Sequence, residues 1–403
     1  MGHVGVTKLR SVTILLVAEV AAMSLWFVSA AVLPEMLREV ALSPFRQALL
    51  SSSVQAGFVA GALISAVLGI ADRFDPRRTV AIAAVSAALC NALLLAAPPG
   101  GAVSILARFA TGAALAGVYP VGMKIVSGWG VKDRGLLVGA LVGSLTLGSA
   151  SPHLISLLGG ADWRTTVVLA SLAAGCGGLL ALTVGLGPHH AGAARFDPRS
   201  ILIAWTDRRV RYAYLGYFGH MWELYAMWAW VGVIAAASYA ATLPADEAGR
   251  LAKLTAFLAI GLGGFASAFG GFAADRIGKA ETAIVAMALS GASAIAVALT
   301  FGGMVWITFV LVVLWGITII PDSAQFSALV ADAAPPGTAG SLLTLQTSIG
   351  FALTFFTVQI APVAADAFGW PSVIAALALG PAFGIVAMMR HRRVDGQTRE
   401  RVR

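Results

Sequence analysis

The sequence predicts an all-α polytopic membrane protein of twelve transmembrane helices, built as two pseudo-symmetric six-helix bundles. Three observations predict it. Hydrophobic residues make up 59% of the 403 and charged residues 11%, whereas ordinary soluble domains are about a quarter charged. Apolar runs near the roughly 20 residues that a spanning helix needs follow one another almost end to end, and mean hydropathy is +0.86. Runs of that length mean helices, because only helices and closed barrels satisfy every backbone group in lipid. The chain also echoes itself: residues 19–26 and 223–230 share Glu, Ala, Met and Trp at the same relative positions, 204 residues apart.

The spans read, in order, as roughly 11–33, 47–70, 78–97, 102–127, 135–158, 164–186, 211–238, 251–274, 280–300, 303–331, 338–362 and 370–389. The implied organisation is an N-terminal six-helix bundle over 1–186, a linker over 187–210, and a C-terminal bundle with a basic tail over 211–403. Since eleven more spans follow the first, it is not expected to be a cleaved leader.

The first span carries Glu19, Met23 and Trp26 at i, i+4 and i+7, one helical face. The second ends at Gly69-Ile-Ala-Asp72-Arg73-Phe-Asp75-Pro76-Arg77-Arg78, and the third closes on the turn Pro98-Pro-Gly-Gly101, which favours an antiparallel neighbour. Its Cys90, like Cys176 in the sixth span, lies in an apolar run without metal or disulfide spacing. No metal site is expected. The fourth span holds the cations Arg108 and Lys124, placed about 160° apart around a straight helix, with Pro120 between them as a possible kink. The fifth includes Ser149-Ala-Ser-Pro-His153.

The polar stretch Gly187–Arg209 is the longest segment that cannot span and marks the boundary of the halves. In the seventh span His220, Glu223, Met227 and Trp230 share a face, and Tyr225 lies among the surrounding aromatics. The eighth span leads into Gly271-Phe-Ala-Ala-Asp275-Arg276-Ile-Gly278-Lys279, and the tenth carries Asp322 and Gln325 one turn apart beside Pro321. Asp72-Arg73 with Asp275-Arg276, Pro120 with Pro321 and Trp163 with Trp370 repeat at offsets of 203, 201 and 207, the mark of two parallel repeats about an axis normal to the membrane.

Lysine and arginine concentrate in cytoplasmic loops. With the N-terminus inside, twenty of the 27 basic residues fall on the cytoplasmic side and five outside. That places both termini in the cytoplasm and the protein in the cell membrane as a multi-pass chain. The formal charge of +8 is thereby topology, and no nucleic-acid partner is expected. No Gly-x-x-x-x-Gly-Lys-Ser/Thr loop and no nucleophile–base set is present, which argues against an ATP-driven engine and against an enzyme.

The Gly271–Lys279 loop resembles the Gly-x-x-x-Asp-Arg-x-Gly-Arg/Lys signature of the major facilitator superfamily. Its first-half copy departs from that pattern, since glycine precedes the aspartate by three residues and Asp75 stands at the second glycine. Arg108-Phe-Ala-Thr-Gly112 is similar to the superfamily's Arg-x-x-x-Gly pattern. The region around Ser149–His153 is a poor match to the Gly-Pro motif of its antiporters.

The resemblance implies that the first and seventh helices flank a central cavity with Glu19 and Glu223 facing each other across it. It also implies that Asp72, Arg73, Arg77, Asp275, Arg276 and Lys279 form a conformational latch. A carboxylate in a partly dry cavity can take up and release a proton, so Glu223, Glu19 and Asp322 are the candidate coupling sites, Glu223 foremost with His220 as relay. Trp26, Trp230, Met23, Met227, Tyr225, Arg108 and Gln325 are the candidate substrate contacts. The function expected is a proton-coupled secondary transporter of a small organic solute. It needs no cofactor beyond the proton gradient and acts as a monomer in the lipid bilayer. Aromatic richness leans toward export by proton antiport. Uptake by symport, or a binding or sensing protein on the same scaffold, are the alternatives.

Overall fold

Among the described residues, twelve long helices hold most of the chain. The computed structural model describes residues 2–130, 133–160, 162–189 and 196–402, with backbone alone at 2–6, 71, 72, 134 and 398–402. In order, the helices are α1 (Thr7–Glu39), α2 (Pro44–Leu68), α3 (Pro76–Leu95), α4 (Ala102–Ser127), α5 (Gly135–Leu158), α6 (Trp163–Ala181), α7 (Arg208–Tyr239), α8 (Ala245–Ile277), α9 (Lys279–Thr300), α10 (Val305–Ala333), α11 (Ala339–Phe368) and α12 (Trp370–Gln397). Eleven of them are apolar enough to cross a membrane by length and composition alone. The other is α7, a 32-residue helix whose apolar content is diluted by Glu223, His220 and its indole and phenol groups.

Local chemistry sets the ends. Ser43 accepts from the Arg46 amide ahead of Pro44, and Asp162 and Asp207 accept from the amides of Arg164 and Arg209 at the starts of α6 and α7. Each is an N-cap that satisfies an amide the helix leaves open. The two copies of the loop motif differ here for a physical reason. Gly278 turns the α8–α9 corner at φ 103°, a conformation open to glycine. Asp75 has φ −58° and instead caps α3, accepting from the Arg77 amide at 2.9 Å. The departure at Asp75 is a different way of starting the next helix.

Several spans are interrupted. The chain leaves helical geometry at 24–27 in α1, 116–118 in α4, 319–322 in α10 and briefly at 378 in α12. The α4 break falls immediately before Tyr119 and Pro120, so the proline begins a second helical segment. Nothing in the sequence of α1 predicts its interruption.

An even number of crossings puts the two termini and the linker on one face, called the linker face below. Between the halves the long contacts are α5 against α8 and α2 against α11. Small residues bring these backbones together, as small-residue interfaces do in membranes. A Cβ added at Gly264 would lie 3.0 Å from the Gly143 carbonyl oxygen. Within the first half α2 and α4 are closer still, and a Cβ at Gly112 would run into the Val54 carbonyl.

Candidate functional site

The residues that join the halves form layers. On the face opposite the linker, Lys253 of α8 pairs with Glu35 of α1 at 2.5 Å and donates to the Ser156 carbonyl of α5 at 3.3 Å, both side chains largely buried. Outside it Arg38 meets Asp246 at 3.2 Å. One layer in, the Gln359 amide of α11 accepts from Ser52 at 2.7 Å and donates to the Phe45 carbonyl at 3.0 Å. At the linker face, by contrast, Lys8 pairs with Asp133 within the first half, and Lys279 with Asp332 and Arg392 with Glu281 within the second.

Midway lies an aromatic plug built from both halves. Trp26 sits 4.9 Å from Phe58, 5.4 Å from Phe351 and 5.8 Å from Tyr225, while Phe27 packs 5.8 Å from Trp228. The indole N–H groups of Trp26 and Trp228 have no hydrogen-bond acceptor.

Arg108 explains how α1 breaks here without penalty. Wholly buried, it donates to the carbonyls of Leu25, Trp26 and Leu50 and to the Asn91 side chain, at 2.6 to 3.3 Å. The carbonyls freed by the interruption need donors in a medium without water, and the planar five-donor fork supplies them from one side chain. Arg108 is thus a staple for α1, and the expectation that it contacts substrate is corrected: its donors point at backbone.

Toward the linker face the polar groups are acidic. Glu19 is 0% exposed, and neither carboxylate oxygen has a hydrogen-bond partner. It lies against Gly122 of α4, whose added Cβ would stand 3.0 Å from Oε2, and Tyr119 is within its electrostatic reach. Glu223 does not mirror it. Its two oxygens accept from Ser290 of α9 and from the Trp315 indole of α10, each at 2.7 Å. Glu223 therefore points into its own bundle, and the expected face-to-face pair of glutamates does not form. His220 turns away from Glu223 as well, placing Nδ1 2.9 Å from the Asp322 carboxylate at the α10 break. Tyr217 and Phe326 flank that imidazole with ring centres 6.2 and 5.7 Å away.

The other candidates divide. Trp26 and Tyr225 are in the plug. Met23 is buried on the same α1 face, against Gly148 of α5. Trp230 donates to the Val358 carbonyl and packs on Trp370, inside the second half. Met227 is fully buried, and Gln325 reaches the carbonyl of Pro321 on its own helix at 3.5 Å. Among the latch residues, Arg77 closes on Asp75 through Nε and Nη2 at 3.1 and 2.7 Å. That guanidinium holds the Asp75 carboxyl down at about 2, so the pair stays ionised at physiological pH. Asp275 is exposed, Arg276 lies 3.8 Å over the Phe272 ring, and Lys279 is taken by Asp332. Arg73 lies by Gly69, and the Asp72 side chain is outside the described residues.

Sequence reading missed Ser290 and Trp315, Asn91, Tyr119, Phe351, and the Glu35–Lys253 and Ser52–Gln359 pairs. Only Lys253 carried a signal, as one of the few cations on the sparsely charged side. Among the described residues no group of three or more His, Cys, Asp or Glu is placed to hold a metal ion.

Twelve crossing helices with buried ionisable groups at mid-depth define a membrane transport protein of the two-bundle type. The sequence model of the Major Facilitator Superfamily matches residues 14–358, and the chain belongs to that superfamily, a family of transporters rather than enzymes. Solved structures agree in fold. The nucleoside transporter NupG, in a point-mutant form, superposes with TM-score 0.71 at 12% identity over 96% of this chain and 99% of its own. The xylose transporter XylE from E. coli, in a partially occluded inward-open conformation, gives 0.69 at 13% over 94% and 97%. A bacterial homologue of the human lysosomal transporter Spinster, inward-facing and occupied, gives 0.68 at 13% over 95% and 96%. No curated protein matches the sequence significantly.

Proposed function

We propose that this chain is a proton-coupled secondary transporter that moves a small organic solute by alternating access, exporting it in exchange for protons. One observation carries the reading: the partnerless, fully buried carboxylate of Glu19. An anion held without donors in such a place is costly, and the group becomes neutral by taking a proton or is balanced by an arriving cation. Either event is reversed when the cavity opens to water. Glu19 is therefore the exchanging group. Glu223, satisfied by two donors, is the fixed one, and His220–Asp322 serves as a second proton-holding pair in the other half.

The conformational part rests on the layers. The halves are bonded together opposite the linker, while the linker-face ion pairs stay within each half. With the basic loops and both termini in the cytoplasm, these layers close the state to the outside. The motif loops at Asp72 and Asp275 would then engage in the opposite state.

The test is flux in proteoliposomes under an imposed pH gradient, with an organic solute as counter-substrate. Solute movement with proton counterflow supports exchange. Flux of equal size with the gradient collapsed, or no acidification linked to solute, overturns coupling.

A further inference from the structure

Between the aromatic plug and the linker face, Glu19 is the buried carboxylate that neither a hydrogen-bond donor nor a cation meets. The plug's Trp26 follows Glu19 by seven residues along α1. Tyr225 of the other half stands in the plug, its ring centre 5.8 Å from Trp26 and 4.9 Å from Phe351. The cations of the neighbouring spans are engaged elsewhere. Arg108 is spent on the α1 carbonyls and Asn91, and Lys253 on Glu35. His220 is matched to Asp322, and Lys124 also has a partner.

Ring faces carry negative quadrupole potential and attract cations. A buried carboxylate with no donor is stabilised by a cation and repels an anion. Both act in the same direction at this place. The two idle indole N–H groups in the plug add donors for acceptor atoms on the solute body.

We propose that the transported solute is an organic cation with an aromatic or bulky apolar body. Its charged head is held by Glu19 and its body lies against Trp26, Tyr225 and Phe351. This rests on the transporter reading and adds the charge class of the solute to it.

The experiment is thermal unfolding of the purified full-length protein in detergent near neutral pH, with three probes. All share the phenethyl body: phenethyltrimethylammonium, its uncharged tert-butyl isostere of the same shape, and phenylpropionate, which carries an anionic head instead. A ligand that binds only the folded state raises the midpoint by mass action. The cation alone should raise it by several degrees, in a saturable way. Glu19→Gln should abolish that shift while leaving the ligand-free midpoint unchanged or higher, because the carboxylate makes no hydrogen bond that would be lost. Glu19→Asp should retain part of the shift, and Trp26→Ala should weaken cation affinity several-fold.

Equal stabilisation by the isostere, stabilisation by phenylpropionate, absence of a shift with the cation, or a full cation shift in Glu19→Gln would each overturn the proposal. Proton coupling is read separately. A cation shift that depends on Glu19, together with flux indifferent to a pH gradient, removes the coupling and leaves the solute class standing.

Discussion

Glu19 and Glu223 occupy equivalent turns of equivalent helices and differ in what their oxygens meet. Glu223 accepts from a hydroxyl and an indole on two other helices, so its role in this state is to tie α7 to α9 and α10. Trp315→Phe and Ser290→Ala each remove one donor, and each should lower stability by about 1 kcal/mol. Glu223→Ala should cost more than either, because it leaves both donors idle. Thermal unfolding of the three variants checks the order, and equal midpoints for all three would contradict it. Arg108→Ala should be more severe, at about 3 kcal/mol or more, because several buried carbonyls lose their donor at once. Arg108→Lys should not rescue it, since one ammonium cannot span the fork's partners. The identity of these charged residues was legible in the sequence, because an ionisable group inside an apolar run stands out. Their partners were not. Asn91, Ser290 and Trp315 are common residue types in spans, and only the helix packing brings them to the charges.

Among the elements, the breaks and the close pairs set the geometry. The span boundaries were readable from hydropathy, and the α4 kink was signalled by Pro120. The α1 break was not, because nothing between Ser24 and Phe27 disfavours a helix. It exists because Arg108, arriving from α4, satisfies the opened carbonyls. Gly112→Ala should push α2 and α4 apart, since the new Cβ meets the Val54 carbonyl. The expected loss lies at the upper end of small-to-large changes, about 3 kcal/mol, read as a drop in folded yield and midpoint. The Glu35–Lys253 pair bonds α1 to α8 across the halves. Breaking it strands a largely buried charge, so Lys253→Met should disfavour the state closed opposite the linker. Thiol labelling of a cysteine placed near Ser52 should then speed up several-fold, and the exchanged pair E35K/K253E should slow it again. Unaltered labelling in Lys253→Met would remove the pair from the gate.

At the scale of the whole molecule, two similar bundles meet along α5–α8 and α2–α11 and are bonded at one end. Rocking about that interface is the motion such a pair of bundles allows. Asp275 is exposed in this state, so Asp275→Ala should leave it intact and weaken only the alternative. Labelling of linker-face cysteines should rise or hold, and a fall would contradict the latch. The two-bundle design was legible from the 204-residue echo and the loop motif. The asymmetry of the site was not, because the same octet places Glu19 against a glycine and Glu223 against two donors.

Transport through this chain turns on proton exchange at Glu19. The most direct measurement is proton release on adding the organic cation to purified protein in weakly buffered detergent solution, for the unaltered chain and for Glu19→Gln. Release should saturate with the cation in the unaltered chain and be abolished in Glu19→Gln. Cation binding without proton release in the unaltered chain, or undiminished release in Glu19→Gln, would contradict it.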